Sequence, residues 1–180
     1  MVRRVGTDVV SVWVALRAPV VGVRLSIYRH HSDATDALAS EVSDPVRIGA
    51  NLYFVLATVR FPAGARLEAG TIYAYDLDFI TDGGSHQNLG ALGLLSNTTI
   101  DGHRHLALGY DEGVLPTFVT PARDAIDLTF AHGSCRRAYA QGLDALVALD
   151  SVIEGDREGA ARPQYLFLTG DQIYVDDVSN

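Results

Sequence analysis

The sequence VSVWVALRAPVVGVRLSIY, residues 10–28, carries the pattern that decides the fold of the first part of the chain. Apolar residues stand at every second position on both sides of Pro19. An alternation with period two, rich in β-branched residues, is typical of strands, and a proline between two such runs marks a turn. Residues 10–28 therefore predict two β-strands joined by a turn.

Similar runs predict further short strands along the chain, at residues 51–61, 71–80, 106–110 and 117–120. The polar residues 30–45 lie between two of these runs and are predicted to form a loop over the surface. Short strands with no long helix between them are typical of an antiparallel sandwich of about 100 residues. We therefore predict an immunoglobulin- or fibronectin-like β-sandwich as the first domain, residues 1–120.

The pattern changes after Pro121. Residues 126–131 form a β-type run, residues 142–154 show the apolar spacing of an amphipathic helix, and residues 164–169 are nearly all apolar. A continuous apolar strand next to a helix is typical of a parallel sheet buried on both faces. The chain is thus predicted to be mostly β with an α/β tail, in which a β-α-β unit starts a second domain over residues 121–180.

Charge and composition exclude several functions. The net charge is −8, so an acidic surface disfavours nucleic acid as a partner. All 14 basic residues are arginine, which excludes lysine-based covalent catalysis. Cys135 is the only cysteine, so no disulfide can form within the chain.

The N-terminal region is not predicted to form a membrane or export segment. Its longest apolar run is short and interrupted by arginines, so no membrane partner is predicted. Arg3 and Arg4 could belong to a twin-arginine export signal, but the run that follows alternates like a strand instead of forming an apolar signal core. We therefore predict a cytoplasmic protein.

Two chemically active residues follow the predicted strands of the β-α-β unit. Cys135 and Asp171 follow the carboxyl ends of the two predicted strands, and the carboxyl ends of parallel strands meet at one edge of a sheet. A thiolate and a carboxylate there could share a metal ion, with Tyr174 three residues further on as a phenolate donor. Such a set favours oxidised iron or zinc over magnesium. The alternative is a buried structural cysteine, with Asp171 capping a turn.

The motifs HGSC at residues 132–135 and FLTGDQIYVDDV at residues 167–178 resemble the start of the PhoD-like (alkaline phosphatase D) metallophosphatase core. This resemblance implies that Cys135, Asp171 and Tyr174 bind a ferric ion and that Asp171 also bridges to a calcium ion. Zinc and manganese are the alternative metals. Asp176 and Asp177 match the acidic pair of the family, as direct or outer ligands.

The resemblance implies metal-assisted hydrolysis of a phosphate ester, with Asp171 as the catalytic residue. Arg136 and Arg137 are candidates for contacts to the phosphate, or else a solvated pair at a strand end. His132 is predicted to be structural. The sequence GHRH at residues 102–105 has the form of a late metal motif of metallophosphoesterases, but it precedes Asp171 and is interpreted as an exposed hairpin.

The later metal motifs of such enzymes have no counterpart in the sequence after Tyr174. We therefore expect an N-terminal fragment of a phosphatase that is inactive by itself, with self-association through the incomplete sheet. The alternative function is a non-catalytic β-sandwich that serves as a binding or interaction module and carries a remnant of a phosphatase core.

Overall fold

The computed structural model describes residues 1–30, 36–100, 102–136, 144–157, 159 and 162–171. The chain divides into two compact units, unit 1 from Met1–Thr120 and unit 2 from Pro121–Asn180. Antiparallel sheets make up unit 1, and a parallel pair of strands with a short helix makes up the described part of unit 2. The protein is therefore mostly β, as the sequence predicts.

The described strands of unit 1 are β1 (Val2–Val5), β2 (Val9–Leu16), β3 (Gly22–Arg29), β4 (Ala39–Ser43), β5 (Val46–Gly49), β6 (Leu52–Arg60), β7 (Ile72–Ile80), β8 (His86–Asn88), β9 (Thr98–Ile100), β10 (His103–His105) and β11 (Thr117–Val119). Sheet A has the order β1-β2-β6-β5 and sheet B has the order β11-β7-β3-β4. Because β3 occupies one edge of β7, β8 and β11 both pair with the other edge. Strands β9 and β10 form a separate hairpin.

The two sheets of unit 1 share one hydrophobic core, which the alternation in the sequence creates. Val23, Leu25 and Ile27 of β3 are fully buried, whereas Arg24 and Tyr28 of the same strand are partly exposed on the other face. Their partners in the core come from both sheets and include Val10, Val12, Val55, Val59, Leu77 and Phe79. Each such side chain contributes about 1.5–3 kcal/mol of transfer free energy when it leaves water.

Two local predictions for unit 1 are wrong. The predicted loop over residues 30–45 contains strand β4, which pairs with β3 at the edge of sheet B through the register Ser26↔Ser40. The hydroxyls of these two serines lie 3.0 Å apart, so polar side chains stabilise an edge that the apolar pattern does not predict. Residues 106–110 form no strand; the Leu108 amide donates a hydrogen bond to the Leu94 carbonyl in a neighbouring loop at 2.9 Å.

Unit 2 contains β12 (Phe130–Gly133), helix α1 (Ala145–Gly155) and β13 (Tyr165–Leu168), preceded by a 3-10 turn at Ala125–Asp127. Strands β12 and β13 are parallel neighbours, in register from Phe130↔Tyr165 to Gly133↔Leu168. This is the β-α-β order that the sequence predicts. All four side chains of β13 are 39–49% exposed, so this apolar strand is not covered on both faces within the described residues.

No helix within the described residues has both the length and the apolar character needed to cross a membrane.

Candidate functional site

The loops that follow β12 and β13 leave the sheet at the same edge. The Thr169 amide donates a hydrogen bond to the Gly133 carbonyl at 3.0 Å, which continues the pairing of the strands one step beyond β13. Because the strands are parallel, the residues that follow both strands lie at the carboxyl edge of the sheet. Ligands bind at this edge in open α/β proteins. We call Ser134, Cys135, Gly170 and Asp171 the strand-end site.

A side-chain hydrogen bond joins the two strand ends. The Nε2 atom of His132, on β12, lies 2.7 Å from the Thr169 hydroxyl that follows β13. His132 is exposed, so this bond links two segments 37 residues apart at the surface instead of anchoring a buried ring. The contact agrees with the structural role predicted for His132.

Gly170 makes the closest approach between the two loops. A Cβ atom placed on Gly170 would lie 2.6 Å from the Cys135 amide nitrogen and 2.8 Å from Cys135 Sγ, and it would also overlap the Ser134 hydroxyl oxygen. Real side chains do not tolerate such distances, so only glycine fits at this position without a shift of the loop. The residue before Asp171 is thereby held against Cys135.

Cys135 is exposed at the strand-end site, so the alternative of a buried structural cysteine is wrong. Its backbone has a φ of 51°, in the left-handed region that residues with a side chain rarely adopt. The Sγ atom lies 3.4 Å from the Ser134 hydroxyl. Strained conformations of this kind are frequent at functional sites, where surrounding contacts maintain them.

Arg136, the next residue, is bonded to helix α1. Its Nε atom lies 3.1 Å and 3.0 Å from the two carboxylate oxygens of Asp144, and its Nη2 atom also contacts this carboxylate. Asp144 caps the helix by accepting a hydrogen bond from the Leu146 amide at 3.1 Å. The Arg136 hydrogen bonds, followed by that of the Leu146 amide, lower the pKa of Asp144 from its ordinary value of 3.8. The phosphate contact predicted for Arg136 stays a prediction.

The remaining predicted site residues are only partly described. Asp171 is exposed directly after Gly170, and Arg137, Tyr174, Asp176 and Asp177 lie outside the described residues. Across the ranges that the structure describes, no group of three or more His, Cys, Asp or Glu side chains could hold a metal ion. Two residues of the predicted set, Cys135 and Asp171, are described, and they belong to the two loops that meet at Gly170. Their thiolate and carboxylate chemistry suits iron or zinc.

The GHRH sequence forms part of a hairpin, as predicted. Strand β10 pairs with β9 through His105↔Thr98, and the turn at Gly102 has a φ of 77°. His105 is exposed and lies in unit 1, whereas the strand-end site belongs to unit 2.

A polar cleft of about 410 Å³ on the outer face of sheet B is a candidate site that the sequence interpretation missed. It lies over strands β3, β7 and β8, and its lining includes Arg24, Ser26, Tyr28, Asp76, Asp78 and His86. The Asp78 carboxylate lies 2.6 Å from His86 Nδ1 and 3.8 Å from the Arg24 guanidinium. The signal in the sequence is the pair of aspartates on the outward positions of TIYAYDLDFI, residues 71–80.

Asp76 is the buried carboxyl of this cleft, with 9% of its surface exposed. One of its oxygens accepts hydrogen bonds from the Leu77 amide at 2.8 Å and the Leu89 amide at 3.2 Å. Desolvation nevertheless dominates and raises the pKa of Asp76 above its ordinary value of 3.8, against these hydrogen bonds, which lower it. Asp76 thus attaches the start of the loop after β8 to the centre of sheet B.

No protein-family model matches the chain, and no curated protein sequence matches it. The basis for a function is therefore the geometry of the strand-end site together with the motifs that flank it.

Proposed function

We propose that this chain carries part of a metal-dependent phosphoric ester hydrolase of the PhoD-like kind. The observation that carries the proposal is the parallel pair β12–β13, which brings the loops of Cys135 and Gly170 into contact at one sheet edge. Asp171 follows Gly170 directly, so its residue lies next to the closest approach between the two loops. The motifs HGSC and FLTGDQIY place the donors of the proposed metal centre in these two loops.

In this proposal Cys135, Asp171 and Tyr174 hold a ferric ion, and Asp171 also contacts a calcium ion; zinc or manganese could replace them. When bound, the two cations supply positive charge against the phosphoryl oxygens and lower the pKa of the reacting water. The chain itself orients the donors. The contact of Gly170 with Cys135 sets the distance between the loops, and the Arg136–Asp144 bond ties the cysteine loop to helix α1. Asp176, Asp177 and Arg137 are further candidates for outer contacts.

The strand order of unit 1 supports an immunoglobulin-like assignment for the first domain. If β1, β2, β3, β5, β6, β7 and β11 are labelled A to G, sheet A has the order A-B-E-D and sheet B contains C-F-G. Immunoglobulin constant-type domains arrange their seven strands in these two orders. Strand β4 then extends the second sheet beyond strand C, as in the larger members of the class.

The test of the function is metal binding followed by hydrolysis. The purified protein is loaded with Fe, Zn, Mn or Ca, and its metal content is compared with that of Cys135→Ala and Asp171→Asn. We expect iron or zinc in the wild-type protein and a loss in both variants, with His105→Ala as a control that retains metal. Equal metal content in all four proteins, or none in the wild type, would contradict the proposal.

Hydrolysis of phosphomonoesters and phosphodiesters is measured on the same samples. Robust metal-dependent turnover that disappears in Cys135→Ala would support the phosphatase and contradict the predicted inactivity. We propose that the protein is cytoplasmic and that its substrate is a phosphate ester. We propose neither nucleic acid nor a membrane as a partner.

The exposed apolar strand β13 supports the proposed self-association of unit 2. Its Leu166 and Phe167 side chains are 47% and 49% exposed, and they point to opposite faces of the strand. Exposed apolar strands are common sites of association. Light scattering over a range of concentrations should show a mass above that of a monomer, reduced in Phe167→Arg.

The cleft on sheet B favours the alternative function, a binding module. It combines a buried carboxyl, Asp76, with the hydrogen-bonded pair of Asp78 and His86. A module of this kind would bind its ligand in unit 1, so it predicts binding that Asp78→Asn removes and Cys135→Ala leaves unchanged. A metal-dependent phosphatase predicts the opposite pattern.

A further inference from the structure

The backbone conformation at position 170 does not by itself require glycine. Its φ is not among the positive values that the structure shows at seven other described glycines, so an L-residue could adopt its conformation. What excludes a side chain is the neighbouring loop, which fills the place of a Cβ atom with the Ser134 hydroxyl, the Cys135 amide and the Cys135 thiol. The constraint on residue 170 is therefore tertiary and comes from the cysteine loop.

The neighbouring strand end shows that this crowding is local. Gly133 ends β12, and a Cβ atom there would meet only Leu168 Cδ2, at 3.4 Å. That distance is close to ordinary van der Waals contact, and the methyl group belongs to a flexible side chain. One strand end thus tolerates alanine, whereas the other does not.

From this difference we propose that Gly170 is a positioning residue, which lets the Cys135 thiol and the Asp171 carboxyl share one ligand. The inference rests on the proposed metal-binding function. A methyl group at 170 would collide with the backbone nitrogen of Cys135, and backbone cannot rotate away as a side chain can. The cysteine loop must then move away from Asp171, and the two donors separate. Removing a residue that positions a metal ligand typically lowers metal affinity about 10–100-fold. We expect the metal affinity of Gly170→Ala to fall in this range.

The experiment uses Co²⁺ as the probe, because a thiolate bound to cobalt gives a charge-transfer absorption that a purely structural change does not produce. Wild-type protein, Gly170→Ala and the matched control Gly133→Ala are titrated with Co²⁺. We expect the thiolate band in the wild type and in Gly133→Ala. In Gly170→Ala we expect cobalt affinity to fall by at least about tenfold, with a weaker band. Equal bands and affinities in Gly170→Ala and Gly133→Ala would overturn the proposal.

Asp171→Asn is a second variant, which adds no atom to the crowded contact between Gly170 and Cys135. It tests whether the thiol and the carboxyl share one ion even if Gly170→Ala does not fold. If the thiol and the carboxyl share one ion, Asp171→Asn also weakens the thiolate band; an unchanged band overturns the sharing.

The rate at which Cys135 reacts with a thiol reagent, measured without metal, separates this proposal from the proposed function. If wild-type protein gives no thiolate band, the metal site is wrong and the thiol rates decide whether Gly170 positions the cysteine. A faster reaction in Gly170→Ala than in Gly133→Ala supports positioning of the Cys135 loop by Gly170. Equal rates in the two variants overturn it.

Discussion

The guanidinium of Arg136 donates hydrogen bonds to the Asp144 carboxylate, and the same carboxylate caps the first turn of helix α1 by accepting from the Leu146 amide. The residue after Cys135 is therefore tied to the start of the helix that follows it. A single aspartate serves both contacts, so its removal should affect the helix and the cysteine loop together.

Asp144→Ala should lower the urea midpoint of unfolding of unit 2, because it removes the N-cap and the partner of Arg136. The pKa of Asp144 is lowered in the folded protein, so its contribution is present above about pH 3.8 and is lost as the pH falls through the folded pKa. Urea unfolding followed by circular dichroism between pH 2 and pH 7 measures this. Asp150→Ala, in the same helix but away from the cap, should change the midpoint less.

Asp76 should show the opposite dependence on pH. Because burial raises its folded pKa, its contribution to stability is greatest below about pH 3.8 and falls as the pH rises through the folded pKa. Asp76→Asn keeps an acceptor for the Leu77 and Leu89 amides and carries no charge. Relative to this variant, the wild-type protein should therefore become more stable as the pH falls.

Asp76→Ala should lower the free energy of unfolding by about 1–3 kcal/mol, because two buried amides lose their acceptor. Denaturant unfolding at neutral pH measures the loss, and Asp82→Ala, in an exposed turn, is the control. A loss in Asp76→Asn as large as in Asp76→Ala would contradict the role of Asp76 as an acceptor.

Cys135→Gly should be more stable than Cys135→Ala by about 1 kcal/mol, because a left-handed backbone costs an L-residue about 1–2 kcal/mol and glycine almost nothing. Both variants lack the thiol, so the comparison isolates the backbone. Thermal unfolding of the two proteins measures the difference. Equal stabilities would show that residue 135 does not require the left-handed conformation.

Leu25→Ala should lower the free energy of unfolding by about 2–5 kcal/mol, because its side chain is fully buried in the core shared by both sheets. Leu106 is 67% exposed, so Leu106→Ala should change the same free energy by less than about 0.5 kcal/mol. Chemical denaturation of both variants provides the comparison.

The strands with strong alternation were predictable because their burial depends on residues two positions apart in the same segment. This holds for β2, β3, β6 and β7, and for helix α1, whose apolar spacing repeats every three to four residues. Strand β4 was not predictable in this way. It is held by backbone pairing with β3 and by the contact of Ser26 with Ser40, and neither leaves an apolar pattern.

The strand-end site, too, was predictable only in part. That Cys135 and Asp171 follow strands could be inferred from the sequence, and parallel pairing of those strands then places both loops at one edge. The partner of Arg136 could not be inferred, although an aspartate directly before an apolar helix is a recognisable cap.

By itself, the sequence predicted a mostly β chain that changes character at Pro121, and it placed a thiol and a carboxyl after the two strands of a predicted β-α-β unit. Only the tertiary structure decided that Cys135 is exposed in a left-handed conformation and that a side chain at position 170 would collide with the Cys135 loop. The physical reason is the range of the interactions. Periodicity records which face of a segment is buried, whereas the contact of Gly170 with Cys135 depends on how two loops 35 residues apart in the sequence meet in space.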